Sequence, residues 1–515
     1  MREKLKKLER EFLTRKAFCC LTILGFLFFI VPLLYIGRYN HGLGDDLRFP
    51  FHVHCTWLNT HNLLEVVKTA FSTVASNYMK WQGTYSSIFF FAISPMAFGE
   101  QYVHVVPYIM IGMILISTAV LVHAVLRRLF GMDGYTCVSV TLTAVVMQCV
   151  FMYTPASGLY YYNAAVHYVF MQGFFNLTVG LALLCFERIY CSRGKKRAWI
   201  VELVLCTGAA FLAAGANFST ALLTAEILFL LEAVAVLLWR TQKKKAFLWF
   251  TVPFLVGMAG FLANILAPGN AVRQANYIQK GVMWTLGECF TYSFSQMISW
   301  VDIYVIVILI LLLPVLLKAS DRVVCFSFRY PLAVVGGLYC LYASMFAPGF
   351  YALGYWPLSR NQNICKMFLM LGLLLSEAYL CGWFTHRFSA VKRLVPQHGK
   401  NVLAWTGGIL AAFLLGFVCF LRLDEVAKKD VFVNYGAFRM VVEGEGIQYW
   451  HEYLQRLSIY RENIYSQETV YVPPYIMRPY PLWVTEITEV PEDGSGKLDG
   501  HVALWYGLKA IYEKN

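Results

Sequence analysis

The chain has 515 residues, of which 58% are hydrophobic, 16% aromatic and only 14% charged, and its mean hydropathy is +0.55. Soluble domains spend about a quarter of their residues on charge, so the composition excludes one and points to an integral membrane protein. The formal net charge of +13 would suit a nucleic-acid binder, but the basic residues stand in short clusters between apolar runs, as they do where a bilayer orients loops. No nucleic-acid partner is expected. The 14 cysteines lie mostly inside apolar runs with no Cys-x-x-Cys pair, which indicates neither a disulfide framework nor a zinc site.

Residues 1–16 form a strongly basic N-terminus. The apolar run 17–36 lacks a small-residue cleavage signature, so it is expected to remain as a first span. Further runs of crossing length lie at 102–125, 135–152, 168–186, 198–216, 220–238, 246–266, 300–317, 330–346, 363–382 and 402–421, for about eleven transmembrane helices in all. With the N-terminus cytoplasmic, the inner loops hold Arg127 and Arg128, the basic stretch 193–197, Arg240 with Lys243 to Lys245, Lys318 to Arg322, and Arg387 to Lys400. The positive-inside rule demands this asymmetry.

The first outer loop, 37–101, is expected to be structured and to hug the membrane. It carries Gly44-Asp45-Asp46-Leu47-Arg48 close to the end of the first span. Two adjacent carboxylates at a bilayer surface, in a chain poor in charge, are the best candidate for chemistry. Helical spacing over 62–80 puts Leu63, Val66, Val67, Ala70, Phe71 and Val74 on one stripe, which suits an interfacial helix. The apolar run 86–98 is too short to cross and is expected to lie on the surface or re-enter.

Later outer segments break with Pro and Gly at helix exits: Ala267-Pro268-Gly269-Asn270 and Ala347-Pro348-Gly349. Each break is followed by an arginine, Arg273 and Arg360, on the side of Asp45 and Asp46. The region 423–515 is mixed in charge and expected to be extracytoplasmic. It should hold an amphipathic helix around 449–459, strand-like alternation over 469–472 and 482–487, and a helical end over 498–513. So small a unit should pack on the outer loops, either as a lid that positions substrate or as a structural cap.

In this order the motifs resemble the GT-C superfamily of polytopic membrane glycosyltransferases, and more closely an uncharacterised bacterial branch of it. The resemblance rests on Gly44-Asp45-Asp46, on Tyr78-Met79-Lys80-Trp81-Gln82-Gly83, on Ala267-Pro268-Gly269-Asn270 with Arg273, on Pro357 with Arg360, and on the tail from Asp499-Gly500-His501 to Leu508. The chain departs from the pattern at Thr84, where an arginine would follow Gly83, and at Phe218, where an acid would follow Asn217. The resemblance implies a GT-C-like all-α transmembrane domain over 17–422 in the bacterial cytoplasmic membrane, with a small α/β extracytoplasmic C-terminal region. It implies sugar transfer from a polyprenyl-phosphate-linked donor to a cell-envelope glycan or lipid-linked acceptor. Asp45 or Asp46 would then act as general base, or hold a divalent metal such as Mg or Mn, while Arg273 and Arg360, with Lys366 as a third cation, bind the donor phosphate. Trp81, Tyr161, Asn163, His167 and Trp356 would contact sugar or acceptor.

The residues by themselves suit that chemistry. Sugar transfer from a lipid phosphate needs a base beside the incoming hydroxyl and positive charge on the departing phosphate, and guanidinium meets phosphate as a fork. Two adjacent carboxylates should push their pKa values apart and leave one ionised base. Arg48 could simply pair with the acids, and Arg273 and Arg360 could anchor to lipid headgroups. The run Tyr160-Tyr161-Tyr162-Asn163 with His167 and Tyr168 suits sugar stacking and equally an interfacial aromatic belt. His41, His52, His54 and His61 match no standard zinc spacing. Glu226 and Glu232 lie inside an apolar run, where a carboxylate is costly; they support the alternative of a transporter or flippase of lipid-linked saccharides, as outer-loop arginines would support a glycan polymerase or ligase. Matched halves with interrupted helices, common in transporters, are not evident.

Overall fold

The computed structural model describes residues 15–191, 196–275, 277–355, 357–389, 391, 400–489 and 495–514. The basic residues 1–14, parts of the basic loops at 192–195 and 392–399, and Trp356 lie outside them. Among the described residues, nine helices are long and apolar enough to cross a membrane: Arg15–Tyr39, Glu100–Leu129, Tyr162–Cys191, Phe218–Gln242, Lys245–Ile265, Ile303–Ser320, Pro331–Leu353, Ser359–Arg387 and Trp405–Arg422. The shorter apolar helices Gly134–Val150 and Ala198–Ala214 fall at the two remaining expected positions. The first of these has 17 residues, or about 26 Å at 1.5 Å per residue, somewhat less than a hydrocarbon core of roughly 30 Å. The chain is a multi-pass, all-helical membrane protein with a small added sheet.

Burial follows what each helix faces. In Ser359–Arg387, 61% of the crossing window is buried, against 6% in Trp405–Arg422, so the former runs through the bundle and the latter lies at its edge. Polar residues inside the bundle pair with one another, as an apolar solvent requires. Gln148 Nε2 donates to Thr118 Oγ1 at 3.1 Å, and Thr220 Oγ1 donates to Gln172 Oε1 at 3.1 Å.

The two ends of the bundle differ in chemistry. At one end, ion pairs join neighbouring spans: Arg15 with Asp133 at 2.5 Å, Arg128 with Glu187 at 2.6 Å, and Arg188 with Glu202 at 2.5 Å. Lys244 Nζ caps the same end, donating to the Tyr190 carbonyl at 2.6 Å. The opposite end carries the loop of Asp45 and the C-terminal region, and is called the site end below.

The first loop at the site end contains the helix Leu63–Lys80, with Val66 and Ala70 buried while Leu63 and Phe71 remain exposed, as expected of a helix lying on a bilayer. The run expected at 86–98 is a helix, Tyr85–Ala92, and a short 3-10 turn, Pro95–Phe98. The helix Val282–Trp300 was not expected. Trp284 packs on Phe350, Phe290 on Tyr339 and Trp300 on Tyr342, so it runs beside the span Pro331–Leu353.

The C-terminal region begins with helices Glu425–Val431, Val433–Val442 and Glu445–Glu462. It ends in a sheet of β1 (Thr469–Val472), β2 (Ile487–Glu489), β3 (Gly496–Leu498) and β4 (Ala510–Glu513), in the order β1-β4-β3-β2. β1 runs parallel to β4, and β3 is antiparallel to both of its neighbours. Two expectations are corrected. Residues 482 and 483 form a turn, their N–H groups donating to the Pro479 carbonyl at 3.1 and 2.9 Å, so pairing starts only at Ile487. The end is not one helix: Asp499 caps Gly500–Tyr506, Gly507 ends it at φ +65°, and β4 follows with alternating burial.

Candidate functional site

Asp45 and Asp46 open a single helical turn, Asp45–Arg48, led by Gly44 at φ +53°. That left-handed backbone favours glycine, and a Cβ there would touch the Tyr161 hydroxyl and the Asp499 carboxylate, both at 3.5 Å. The turn sends the two acids to different surroundings. Asp46 is 1% exposed; its Oδ1 accepts the Asn163 backbone N–H at 2.8 Å, and its Oδ2 is buried without a hydrogen-bond partner. Burial above all raises this carboxyl well above the usual carboxylate range, with the Asn163 N–H opposing and the charge of Asp45 adding. Repulsion between the two acids therefore contributes less than was expected.

Asp45 is the accessible member of the pair, its side chain 33% exposed. Its Oδ1 lies 3.7 Å from Arg48 Nη1 and 4.0 Å from His501 Nε2, and its N–H donates to the Tyr161 hydroxyl at 3.3 Å. Arg360 stands over the Tyr161 ring, 6.0 Å from its centroid. Trp81 carries two cations on its indole, Arg273 at 5.3 Å and Arg48 at 6.0 Å, both in cation–π range. The charges of Arg273 and Arg360 both reach His167 and Tyr168. The structure thus brings Asp45, Arg48, Trp81, Tyr161, His167, Arg273 and Arg360 into one neighbourhood.

Buried amides hold these groups in place. Asn264 Nδ2 donates to the carbonyls of Ala214 and Ala216, each at 2.9 Å, and Asn217 Nδ2 donates to the His167 carbonyl at 2.7 Å. Asn270 Nδ2 donates to the Asn264 carbonyl at 2.7 Å, while its Oδ1 accepts the Gly83 N–H at 2.9 Å. Gly83 lies so close to the Asn264 carbonyl that a Cβ could not be placed there. Arg273 donates to Gln82 Oε1, so the break at Pro268 and the turn at Gly83 are one unit. Asn363 Oδ1 accepts the Thr154 N–H at 2.7 Å and its Nδ2 donates to the Thr154 carbonyl at 3.0 Å, which fixes the helix turn that bears Arg360.

Several expected members stand elsewhere or act differently. Lys366 makes no hydrogen bond or ion pair with this cluster among the described residues; its charge acts on Asp302, the cap of Ile303–Ser320. Asn163 meets Asp46 through its backbone and not its side chain. Tyr161 is 8% exposed with one ring face under Arg360, and the hydroxyls of Tyr160 and Tyr162 donate to Leu33 and Phe90 carbonyls at 2.9 and 3.1 Å. These tyrosines therefore brace helices and do not form an exposed belt. The buried Nδ1 of His167 has no hydrogen-bond partner. Trp356 lies outside the described residues.

The residues present do not fit a metal shared by Asp45 and Asp46, because one carboxylate faces Arg48 and the other is buried against Asn163. Among the described residues, no three His, Cys, Asp or Glu side chains gather in metal-binding geometry. Two histidines of the first loop, His41 and His54, dock on the C-terminal region instead. His54 Nδ1 donates to the Ala97 carbonyl at 3.0 Å, and its ring stacks on Trp505 at 4.5 Å. His41 meets the Tyr449 hydroxyl at 2.7 Å and stacks on Tyr453 at 4.2 Å, and burial lowers its pKa to about 4.

The chain matches no family model, no curated protein and no solved structure.

The glutamates at membrane depth lie apart from the cluster. Ser344 Oγ donates to Glu226 Oε2 at 2.6 Å, and Thr251 Oγ1 donates to Glu232 Oε1 at 2.7 Å. Glu377, not singled out from the sequence, has a buried Oε2 without a hydrogen-bond partner; its signal was an acid inside the apolar run 363–382. Asp499 and His501, part of the tail motif but given no role from the sequence, also reach the site.

Proposed function

We propose that the protein is a membrane glycosyltransferase of the GT-C kind, moving a sugar from a polyprenyl-phosphate donor to a cell-envelope glycan or lipid-linked acceptor. The ion-paired basic end then faces the cytoplasm, as the positive-inside rule favours, and the site end faces outward from a bacterial cytoplasmic membrane. The observation that carries this reading is the gathering of one accessible carboxylate, Asp45, with Arg48, Arg273 and Arg360 around two aromatic rings, where several spans end.

Asp45 accepts the proton of the acceptor hydroxyl as that oxygen attacks the anomeric carbon, and direct displacement inverts the centre. The phosphate leaves with the bonding electron pair. Arg273 and Arg360 neutralise its charge, held in place by Trp81, Gln82 and Asn363. Asp46, whose carboxyl burial raises above the usual range, braces the turn through Asn163. An acceptor sugar can stack on the exposed face of Trp81, which is 39% accessible.

The test is direct. Purified protein in lipid nanodiscs is incubated with a panel of polyprenyl-phosphate sugars, and release or transfer of sugar is compared between wild type and Asp45→Asn. Turnover that Asp45→Asn abolishes supports the reading. Translocation of intact lipid-linked saccharide, indifferent to Asp45→Asn and abolished by Glu226→Gln, would replace it with the transporter.

A further inference from the structure

The C-terminal region reaches into the site. Its short helix Gly500–Tyr506 is pinned to the first loop by Glu100, whose Oε1 accepts Trp505 Nε1 at 3.2 Å and the Tyr506 hydroxyl at 3.0 Å. Arg461 adds an ion pair to Glu100 Oε2 at 3.3 Å, and Trp505 stacks on His54. This docking places the His501 imidazole between two carboxylates: Nε2 lies 3.6 Å from Asp499 Oδ1 and 4.0 Å from Asp45 Oδ1. Asp499 is held in turn, its Oδ1 accepting the His501 N–H at 2.9 Å and its own N–H donating to the Glu486 carbonyl at 3.0 Å. Nothing in the packing of the tail requires an imidazole here. Its side chain is 31% exposed, so one edge stays open to water.

We propose that His501 is the proton outlet of the site, receiving on Nε2 the proton that Asp45 takes from the acceptor, with Asp499 steadying the imidazolium. The proposal rests on the transferase reading. The steps balance: the acceptor O–H proton passes to the Asp45 carboxylate while the new C–O bond forms and the C–O bond to phosphate breaks with its electrons. The proton then passes to His501 through one water bridging the 4.0 Å gap and leaves to bulk solvent, and Asp45 is ready for a second turnover. The groups facing the imidazole are Asp45 with Arg48 behind it, Asp499 on its own segment, and the Tyr161 hydroxyl and buried Asp46 beneath Gly44. An imidazole is suited to this because its ordinary pKa, about 6.5, lets it take and release a proton near neutrality. The C-terminal region is then part of the reacting machinery and not only a cap.

Transfer rates are measured against pH on full-length protein for wild type, His501→Gln and Asp499→Asn, with donor KM determined in parallel. The wild-type rate should rise as pH passes through the imidazole range. His501→Gln should lose that limb and fall by roughly a hundredfold at neutral pH with donor KM unchanged, and free imidazole should restore part of the rate in His501→Ala. A His501→Gln profile that keeps the wild-type limb overturns the proposal while leaving the transferase reading intact. A second arm is independent of turnover: Asp45→Cys with His501→Cys should be bridged by a short bifunctional thiol reagent that spans the room the two side chains now fill, read by peptide mapping. Failure to cross-link overturns the juxtaposition. Absence of any sugar transfer by wild type, with the cross-link formed, removes the transferase reading and the proton route with it.

Discussion

Asparagine at 45 and asparagine at 46 should have opposite consequences, although the two positions are neighbours. Asp46 is held by one backbone N–H, is otherwise enclosed, and has its pKa raised by burial. Asn is nearly isosteric with the protonated acid, offering the same oxygen to Asn163 and a donor where Oδ2 now sits. The sign follows from linkage. Where the folded pKa exceeds the unfolded one, the stabilisation is complete below the unfolded value and is lost as pH rises through the folded value. Wild type should therefore lose about 1.4 kcal/mol per pH unit relative to Asp46→Asn, from about pH 4 upward until Asp46 ionises in the fold. Asp46→Ala instead orphans the buried Asn163 N–H, which costs about 1–3 kcal/mol at every pH. Asp45 makes only partly exposed pairs, with Arg48 and with His501, each of about 0–1 kcal/mol, so Asp45→Asn should leave stability nearly unchanged while lowering transfer by about a hundredfold or more. Thermal unfolding by intrinsic fluorescence between pH 4 and pH 8, beside a sugar-transfer assay, separates the cases. An inactive Asp46→Asn of wild-type stability, with an active Asp45→Asn, would refute the division.

Other outcomes follow from the same geometry. Arg273→Lys and Arg360→Lys keep charge but lose the planar fork, so donor KM should rise about tenfold or more, as for a lost charge-assisted hydrogen bond, with kcat less affected; donor titration checks this. Burial raises Glu486 to about 7, Arg456 opposing it, so the stability it supports is complete below about pH 4.3 and lost as pH rises through the folded value. Limited proteolysis of the C-terminal region should accelerate from about pH 5 to about pH 8, and Glu486→Gln should flatten that dependence. Gly83→Ala should push the turn off the Asn264 carbonyl and displace Trp81 and Arg273 together, which would appear as a joint loss of donor affinity and of Trp81 protection from oxidation.

Nine of the eleven expected spans recur among the described residues as helices long and apolar enough to cross, because a bilayer leaves a span little freedom in composition. Val282–Trp300 was not legible, since Glu288, Ser293, Ser295 and Gln296 dilute its hydropathy below that of a span. That Asp45, Arg273 and Arg360 lie at one end of the bundle could be read from their positions at span ends on one side. Which aspartate is accessible could not, because that depends on the backbone at Gly44 and on Asn163, far along the chain. Lys366 stood in sequence as a third cation after Arg273 and Arg360, but it lies about 9 Å beyond Arg360 along the same helix at 1.5 Å per residue, where its charge acts on Asp302. Asp499 and His501 needed the folded C-terminal region before their distance to Asp45 had any meaning.

The most direct measurement is the position of a bound donor. In a structure of the protein in nanodiscs with a non-hydrolysable polyprenyl-phosphonate sugar, the phosphonate should lie between Arg273 and Arg360, with the anomeric carbon turned toward Asp45. Density for the headgroup beside Glu226, or anywhere that leaves Asp45 and both arginines without contact, would contradict the account.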